Sequence, residues 1–288
     1  MRFVDLEQGS NAWHEYRRKG IGASDIAKIL KISPFGTPFT LFEEKEGKEI
    51  VDNPSMRRGR EREIIGVEYA NRLFNTTFFP KVIEHYLHPW LFCSVDGIDM
   101  DGTVLEVKWC NKEVHSLANN GVVIDYYYSQ CQAQMACCDV SEMIFLSCYQ
   151  ISKDDPIDYA VVKVKRDDLF IQKMIEKASE FYHEYMVKGI APPLTDKDYT
   201  FIEDDLFDQL CTEYTSLTSQ EKMLSERKKQ ILEDIKIRAG DKNARSSLFK
   251  ATKFKSKGRI DYSSIKELEG VNLEPYRKES SEQWRVSG

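Results

Sequence analysis

Five short apolar runs between Thr76 and Lys165 set the strongest limit on what this chain can fold into: TTFFPKVIEHYL, WLFCSV, TVLEVKW, EMIFLSCYQI and DYAVVKVK. Each has strand length and is rich in β-branched or aromatic residues. Around Tyr127 to Cys138 a helix separates the third run from the fourth, and Asp167 to Lys188 forms an amphipathic helix after the fifth. Upstream, Thr37-Pro38 opens a helix reaching about Gly47. A longer helix spans about Met56 to Phe74, with Ile64, Val67, Ala70 and Phe74 as its apolar stripe. Trp13 to Gly20 reads as a loop or short helix carrying Arg17, Arg18 and Lys19. Ser24 then N-caps a helix holding Ile26, Ala27, Ile29 and Leu30. Strands set between helices favour an α/β core over a helix bundle.

Composition narrows the function classes. The chain has 288 residues, 41% hydrophobic and 31% charged, with a formal net charge of −6. That fits a globular protein and argues against one that coats nucleic acid through bulk positive charge. Contact with a polyanion must come from local patches such as RRGRER, Arg57 to Arg62, or Lys242 to Arg259. No apolar run approaches the ~20 residues of a membrane helix. The start, MRFVDLEQGSNAWHEYRRKG, lacks the apolar segment of a signal peptide, so a cytosolic protein is expected. The 7 cysteines are odd in number and mostly in apolar surroundings, which points to buried thiols rather than disulfides.

Pro192-Pro193 ends the strand-and-helix unit, and the domain boundary is set after residue 197. In the remaining 198–288, Leu210, Leu217, Leu224 and Ile231 recur every seven residues, with Tyr214 and Ile235 beside them and Glu221 and Lys228 interrupting. This imperfect seam suggests a helix packed on the body or on a partner. SLFKATKFKSKGRIDY alternates like a hairpin. Its Lys250, Lys253, Lys255, Lys257 and Arg259 interleave with Phe249 and Phe254, which suits DNA contact, a solvated basic hairpin or a docking surface for a recombination partner.

The run ending in Leu105-Glu106-Val107-Lys108-Trp109 carries the chemistry. Side chains two apart on a strand share a face, so Glu106 and Lys108 are neighbours while Leu105, Val107 and Trp109 fill the other face. Charges in a partly dry place need partners. A divalent cation bridging Glu106 and Asp96, with the Val107 carbonyl as a further ligand, would supply one. Lys108 would then lie where it can orient or activate a water. A phosphodiester suits such a site, because Mg²⁺ takes one or two carboxylates plus phosphate oxygens and waters. The plainer reading is a solvent-facing acid-x-Lys pair after turns at Asp96-Gly97 and Asp101-Gly102.

Asp96, nine intervening residues and Glu106-Val107-Lys108 resemble the signature of the PD-(D/E)xK nuclease superfamily. With AWHEYRRKGIGASDIAKIL, RGREREIIGVEYANRLF and YYYSQCQAQM, the chain is similar to the lambda-exonuclease/YqaJ-type viral recombinase family over about its first two-thirds. The resemblance implies a restriction-endonuclease-like α/β core, a central mixed sheet flanked by helices, and the C-terminal helical and hairpin extension lies outside it. It makes Asp96 and Glu106 metal ligands for Mg²⁺, with Mn²⁺ as a substitute, and Lys108 the catalytic lysine. It adds Glu63 as a further acid and Gln130, or less well Gln132, as the glutamine near the metal. Arg17 and Ser24 fall where the family binds the 5′-phosphate of a DNA end. Two positions depart from the pattern: Val95 stands where the family has proline, and Arg57, Arg58 or Arg60 replaces a lysine. The implied activity is 5′→3′ digestion of one strand of double-stranded DNA by a homo-oligomeric ring, a trimer or tetramer, with a single-strand annealing recombinase as partner. A PD-(D/E)xK endonuclease and a non-catalytic DNA-binding recombination factor remain the alternatives.

Overall fold

A computed structural model describes residues 1–48, 54–254, 265, 266 and 271, without the side chains of 54–56 and 60. It divides into two compact units, 1–200 and 201–288. The first unit runs past Pro192-Pro193 because its last residues are tied back. Asp198 accepts from the Thr37 hydroxyl, and Lys197 donates to the Ser33 carbonyl at 3.4 Å.

In chain order the first unit has β1 (Arg2–Val4), α1 (Asn11–Arg18), β2 (Ile21–Gly22) and α2 (Ile26–Ile29). Then come α3 (Pro38–Lys45), α4 (Pro54–Phe74), β3 (Phe79–Glu84), β4 (Leu91–Ile98) and β5 (Val104–Trp109). The unit finishes with α5 (Lys112–Asn119), α6 (Asp125–Cys138), β6 (Glu142–Tyr149), β7 (Asp158–Lys165) and α7 (Asp168–Glu180). One wide π turn, Phe181–Met186, follows α7, so the helix expected to reach Lys188 loses its α form early. The sheet is mixed, in the order β1-β3-β4-β5-β6-β7, with β2 added in parallel beside β4. This is the α/β sheet between helices expected from the sequence.

Alternation along β5 distributes the two faces. Leu105 and Val107 join Ala70 of α4 with Ile144, Leu146 and Cys148 of β6 in one apolar layer, and Trp109 packs against it. The other face meets α6, α7 and α2 in a larger core containing Ile26, Ile29, Met135, Ile171 and Met174. Gly66 lets α4 lie directly on β5: a Cβ there would sit 2.4 Å from Val107 Cγ1. The inward stripe of α4 is Glu63, Gly66, Val67, Ala70 and Phe74, at the i, i+3, i+4, i+7 spacing. Ile64, expected on that stripe, is instead 63% exposed.

Asp96-Gly97 is not a turn. Both residues lie inside β4, where Gly97 pairs with Leu105, and the chain reverses at Asp99 to Gly102. Strand geometry requires this glycine, since a Cβ at 97 would fall 2.4 Å from the Phe78 Cβ. All seven cysteines are unpaired, and five of them are buried. Among the described residues no helix is long and apolar enough to cross a membrane.

The second unit is a 35-residue helix, α8 (Asp205–Ala239), followed by a short hairpin of β8 (Ala244–Arg245) and β9 (Lys250–Ala251). No residue of α8 is buried, and Leu210, Leu217, Leu224 and Ile231 are all exposed. Phe249 and Phe254 are exposed on the hairpin side. Lys255, Lys257 and Arg259 lie outside the described residues.

Candidate active site

One edge of β4 is shared by two strands that diverge. β2 pairs with it at Leu91 and Phe92, and β5 pairs with it at Gly97 and Ile98. Between them, among the described residues, the edge of β4 has no strand partner, and side chains fill the gap. The Val95 carbonyl accepts from Gln8 at 3.1 Å. On the β5 side the Val107 N–H donates to Asp96 Oδ2 at 2.7 Å. A residue's N–H and C=O leave a strand on the same side, so the Val107 carbonyl also faces this gap.

Carboxylates reach the gap from several elements. Glu106 on β5 is 1% exposed. It contacts the Lys108 ammonium and accepts from two α6 amides, Gln130 on one oxygen and Gln134 on the other. Glu63 comes from α4 and hydrogen-bonds Asp96. Three acids therefore surround one ammonium, all on packed strands or helices. Asp96, Glu106, Lys108 and Gln130 line a cavity of about 160 Å³ together with Arg17, Ser24, Trp13 and Ser94.

The charges are strained toward neutrality. Burial first, then the nearby Glu106 and Glu63, push the Asp96 carboxyl well above the usual carboxylate range, against the pull of Lys108 and the Val107 N–H. Burial also raises Glu63, with Glu106 adding to it while Lys108 and the hydrogen bond with Asp96 oppose it. Lys108 moves the other way. Burial opposes its charge, yet Glu106 and Asp96 outweigh this and hold the ammonium above the ordinary lysine range. Asp96 and Lys108 keep part of their surface open to the cavity, and protein surrounds them elsewhere.

A hard divalent cation fits this donor set. All the donors are oxygens, and an excess of carboxylate over ammonium is met in the metal-free fold by retained protons. Among the described residues no three His, Cys, Asp or Glu side chains form a ready-made cage. An open set of this kind leaves positions for water and phosphate, as Mg²⁺ sites usually do. Retained protons also set the sign of the pH dependence. Asp96 and Glu63 ionise in the ordinary carboxylate range when unfolded but hold protons to higher pH when folded. The metal-free fold thus loses stability as pH rises through that interval. Mg²⁺ is expected to raise Tm more at about pH 8.5 than at about pH 6, because at the higher pH fewer protons compete for the carboxylates and the cation relieves the repulsion between them. Equal shifts at both pH values in calorimetry would contradict this.

At the other end of the cavity, Arg17 extends from α1 over the Trp13 ring, with Cζ 4.8 Å from the centroid. Arg17 donates to Ser24 Oγ at 3.1 Å and lies 3.5 Å from Asp25. Trp13 Nε1 in turn donates to Ser94 Oγ of β4 at 3.0 Å. Ser24 does not N-cap a helix. It sits within a 3₁₀ turn, Ala23–Asp25, leading into the short α2, and the Asp25 carboxylate takes the Gly22 N–H at 2.9 Å. Asp25 is held down to about 2, burial being outweighed by Lys45 and Arg17. That leaves the Ser24 hydroxyl free to face the cavity beside Arg17.

The structure thus brings Arg17, Ser24, Asp96, Glu106, Lys108 and Gln130 to one cavity, with Glu63 hydrogen-bonded to Asp96 and the Val107 backbone on the same gap. Gln132 is elsewhere. It donates to the Lys165 carbonyl and accepts from the Asp167 N–H, tying α6 to the start of α7. Sequence reasoning missed Gln134, which follows Gln130 by one helical turn and so shares its face. It also missed Trp13, Gln8 and Ser94. Arg57, Arg58 and Arg62 belong to α4, and Arg62 covers the Trp109 ring at 4.9 Å.

This sheet and its flanking helices reproduce a nuclease fold. An alkaline exonuclease (LHK-Exo) from Laribacter hongkongensis superposes with a TM-score of 0.53 at 22% identity, covering 62% of this chain and 94% of that one. The complex of LHK-Exo with dAMP gives 0.54 over the same shares. Residues 12–141 match the YqaJ-like viral recombinase domain. Two viral proteins are also similar in sequence. Protein D345L of African swine fever virus is 26% identical over 66% of this chain, and uncharacterized protein R354 of Acanthamoeba polyphaga mimivirus is 24% identical over 51%. The matched regions span 48% and 30% of those two proteins' own lengths.

Proposed function

We propose that the chain is a Mg²⁺-dependent exonuclease that digests one strand of linear double-stranded DNA from a 5′-phosphorylated end and leaves a 3′ overhang for recombination. Mn²⁺ is proposed as a substitute cation. One observation carries the reading: an arginine and a serine suited to a terminal phosphate line the same small cavity as the Asp96, Glu106 and Lys108 cluster. A nuclease that cuts within a strand has no use for a terminal-phosphate pocket beside its reacting centre.

The roles follow from the chemistry of each group. Arg17 and the Ser24 hydroxyl grip the 5′-phosphate, with a charge-assisted hydrogen bond from the guanidinium. Asp96, Glu106 and the Val107 carbonyl would hold the cation, and Glu63 would add a further carboxylate. When bound, the cation supplies Lewis acidity that polarises the phosphate and eases deprotonation of water. Lys108 serves as a donor that orients water and stabilises charge growing on the phosphoryl oxygens. Gln130 and Gln134 fix the Glu106 carboxylate. Water adds to phosphorus and the bond to the 3′-oxygen breaks, so a mononucleotide leaves and the next residue carries a new 5′-phosphate for Arg17. LHK-Exo has been crystallised with dAMP, a molecule of that product class. A ring of copies around the duplex, and hand-over of the 3′ strand to a single-strand annealing protein, complete the proposal.

The test uses the terminal phosphate. Arg17→Ala is expected to lower turnover on 5′-phosphorylated duplexes by about tenfold or more while leaving 5′-hydroxyl duplexes unchanged. A variant that keeps the full preference for 5′-phosphate would remove Arg17 from the proposal.

A further inference from the structure

We infer that Phe35 and Tyr126 form a stacking platform for an unpaired base at the DNA end, a reading that rests on the proposed nuclease activity. Phe35 is 72% exposed, in the loop between α2 and α3. Its ring meets Tyr126 edge to face, with centroids 5.7 Å apart and planes at 86°. Tyr126, Gln130 and Gln134 follow one another at i, i+4 and i+8 on α6, so they share a face. Since Gln130 and Gln134 both touch Glu106, Tyr126 lies one turn, roughly 6 Å, farther out along the same stripe.

The loop presents its ring on a fixed backbone. Ser33 is buried, its N–H donates to the Ala27 carbonyl, and its hydroxyl accepts from the Phe35 N–H, both at 3.0 Å. On the far side Thr37 caps α3. Gly36 allows close passage, since a Cβ there would sit 2.8 Å from Thr40 Oγ1. The chemistry beside this exposed ring names an occupant for it. For the first phosphodiester to reach Glu106, the terminal nucleotide must leave its partner, and leaving the stack is costly. An aromatic face beside the reacting centre returns part of that cost by stacking on a base. Every base has such a face, so no sequence preference is expected.

The test compares Phe35→Ala and Phe35→Trp with the wild-type chain on 5′-phosphorylated blunt duplexes carrying 2-aminopurine at the terminal position. A second substrate is bis(p-nitrophenyl) phosphate, an activated phosphodiester without a base. Phe35→Ala should slow the duplex about tenfold or more and abolish quenching of the 2-aminopurine measured in Ca²⁺, while leaving the small ester within about twofold. Phe35→Trp should keep both duplex signals. An unchanged duplex rate in Phe35→Ala overturns the inference. So does a parallel loss on both substrates, or a Trp variant as slow as the Ala variant. If the wild-type chain hydrolyses neither substrate with Mg²⁺, the nuclease reading itself has failed.

Discussion

Asp96→Asn is expected to reduce DNA hydrolysis by about 10³-fold or more, the size of several kcal/mol of lost electrostatic stabilisation. The fold should survive, because the asparagine carbonyl can still accept from the Val107 N–H that Asp96 now takes at 2.7 Å. Charge argues the same way. Asp96 is one of three carboxyls crowded around Lys108, and its own is pushed well upward by burial and by Glu106. An amide in its place has no proton to hold or lose. The metal-free variant should therefore equal or exceed the wild type in Tm above neutral pH, lose most of its Mg²⁺-induced shift, and still bind DNA ends in Ca²⁺. A variant that keeps normal turnover would remove Asp96 from the site, and one that unfolds would show its role to be structural.

Lys108→Ala should damage stability as well as activity. Glu106 is 1% exposed, and Lys108 is the cation it touches. Removing one partner of a buried pair leaves the other charge uncompensated, at a cost of about 3 kcal/mol, or roughly 6–12 °C in Tm for a unit of this size. Gln130 and Gln134 remain as donors but carry no charge. Because Lys108 sits above the ordinary lysine range, its contribution to stability is in place below that range and is lost only above it. The loss in Tm should thus be constant from about pH 6 to 9, whereas the Tm difference between Asp96→Asn and the wild type changes with pH. Hydrolysis should drop about 10³-fold, and Lys108→Arg should not restore it, since a planar guanidinium donates in another geometry within the same small cavity. An Arg variant with wild-type rates would reduce Lys108 to a generic positive charge.

The sequence made the spine of this site readable, because a strand's two-residue period is simple. Glu106 and Lys108 had to share a face, and they do. Errors came where a local rule was overridden by packing. Asp-Gly is a strong turn signal, yet Gly97 lies inside β4 because Phe78 occupies the space of a side chain. Ser24 carries the composition of a cap, but Asp25 takes the backbone N–H and leaves the hydroxyl to Arg17. On α4 the apolar residue Ile64 shifted the expected stripe. The inward face is marked by Gly66, and phasing on that glycine would have placed Glu63 inward and Glu61 outward. Gln134 was one turn from Gln130 and was legible by the same helical period. β1, β2 and α5 were too short or too polar for any periodicity to reveal, and their positions depend on pairing with β3, β4 and the β6–β7 hairpin.

The most direct measurement is a digestion of linear duplexes labelled separately on each strand, with 5′-phosphate or 5′-hydroxyl ends, with and without Mg²⁺. Loss of nucleotides from the 5′-phosphorylated strand alone, only when Mg²⁺ is present, with its complement left full length, is the predicted result. Internal cuts, digestion from 3′ ends, or equal digestion in chelator would contradict it.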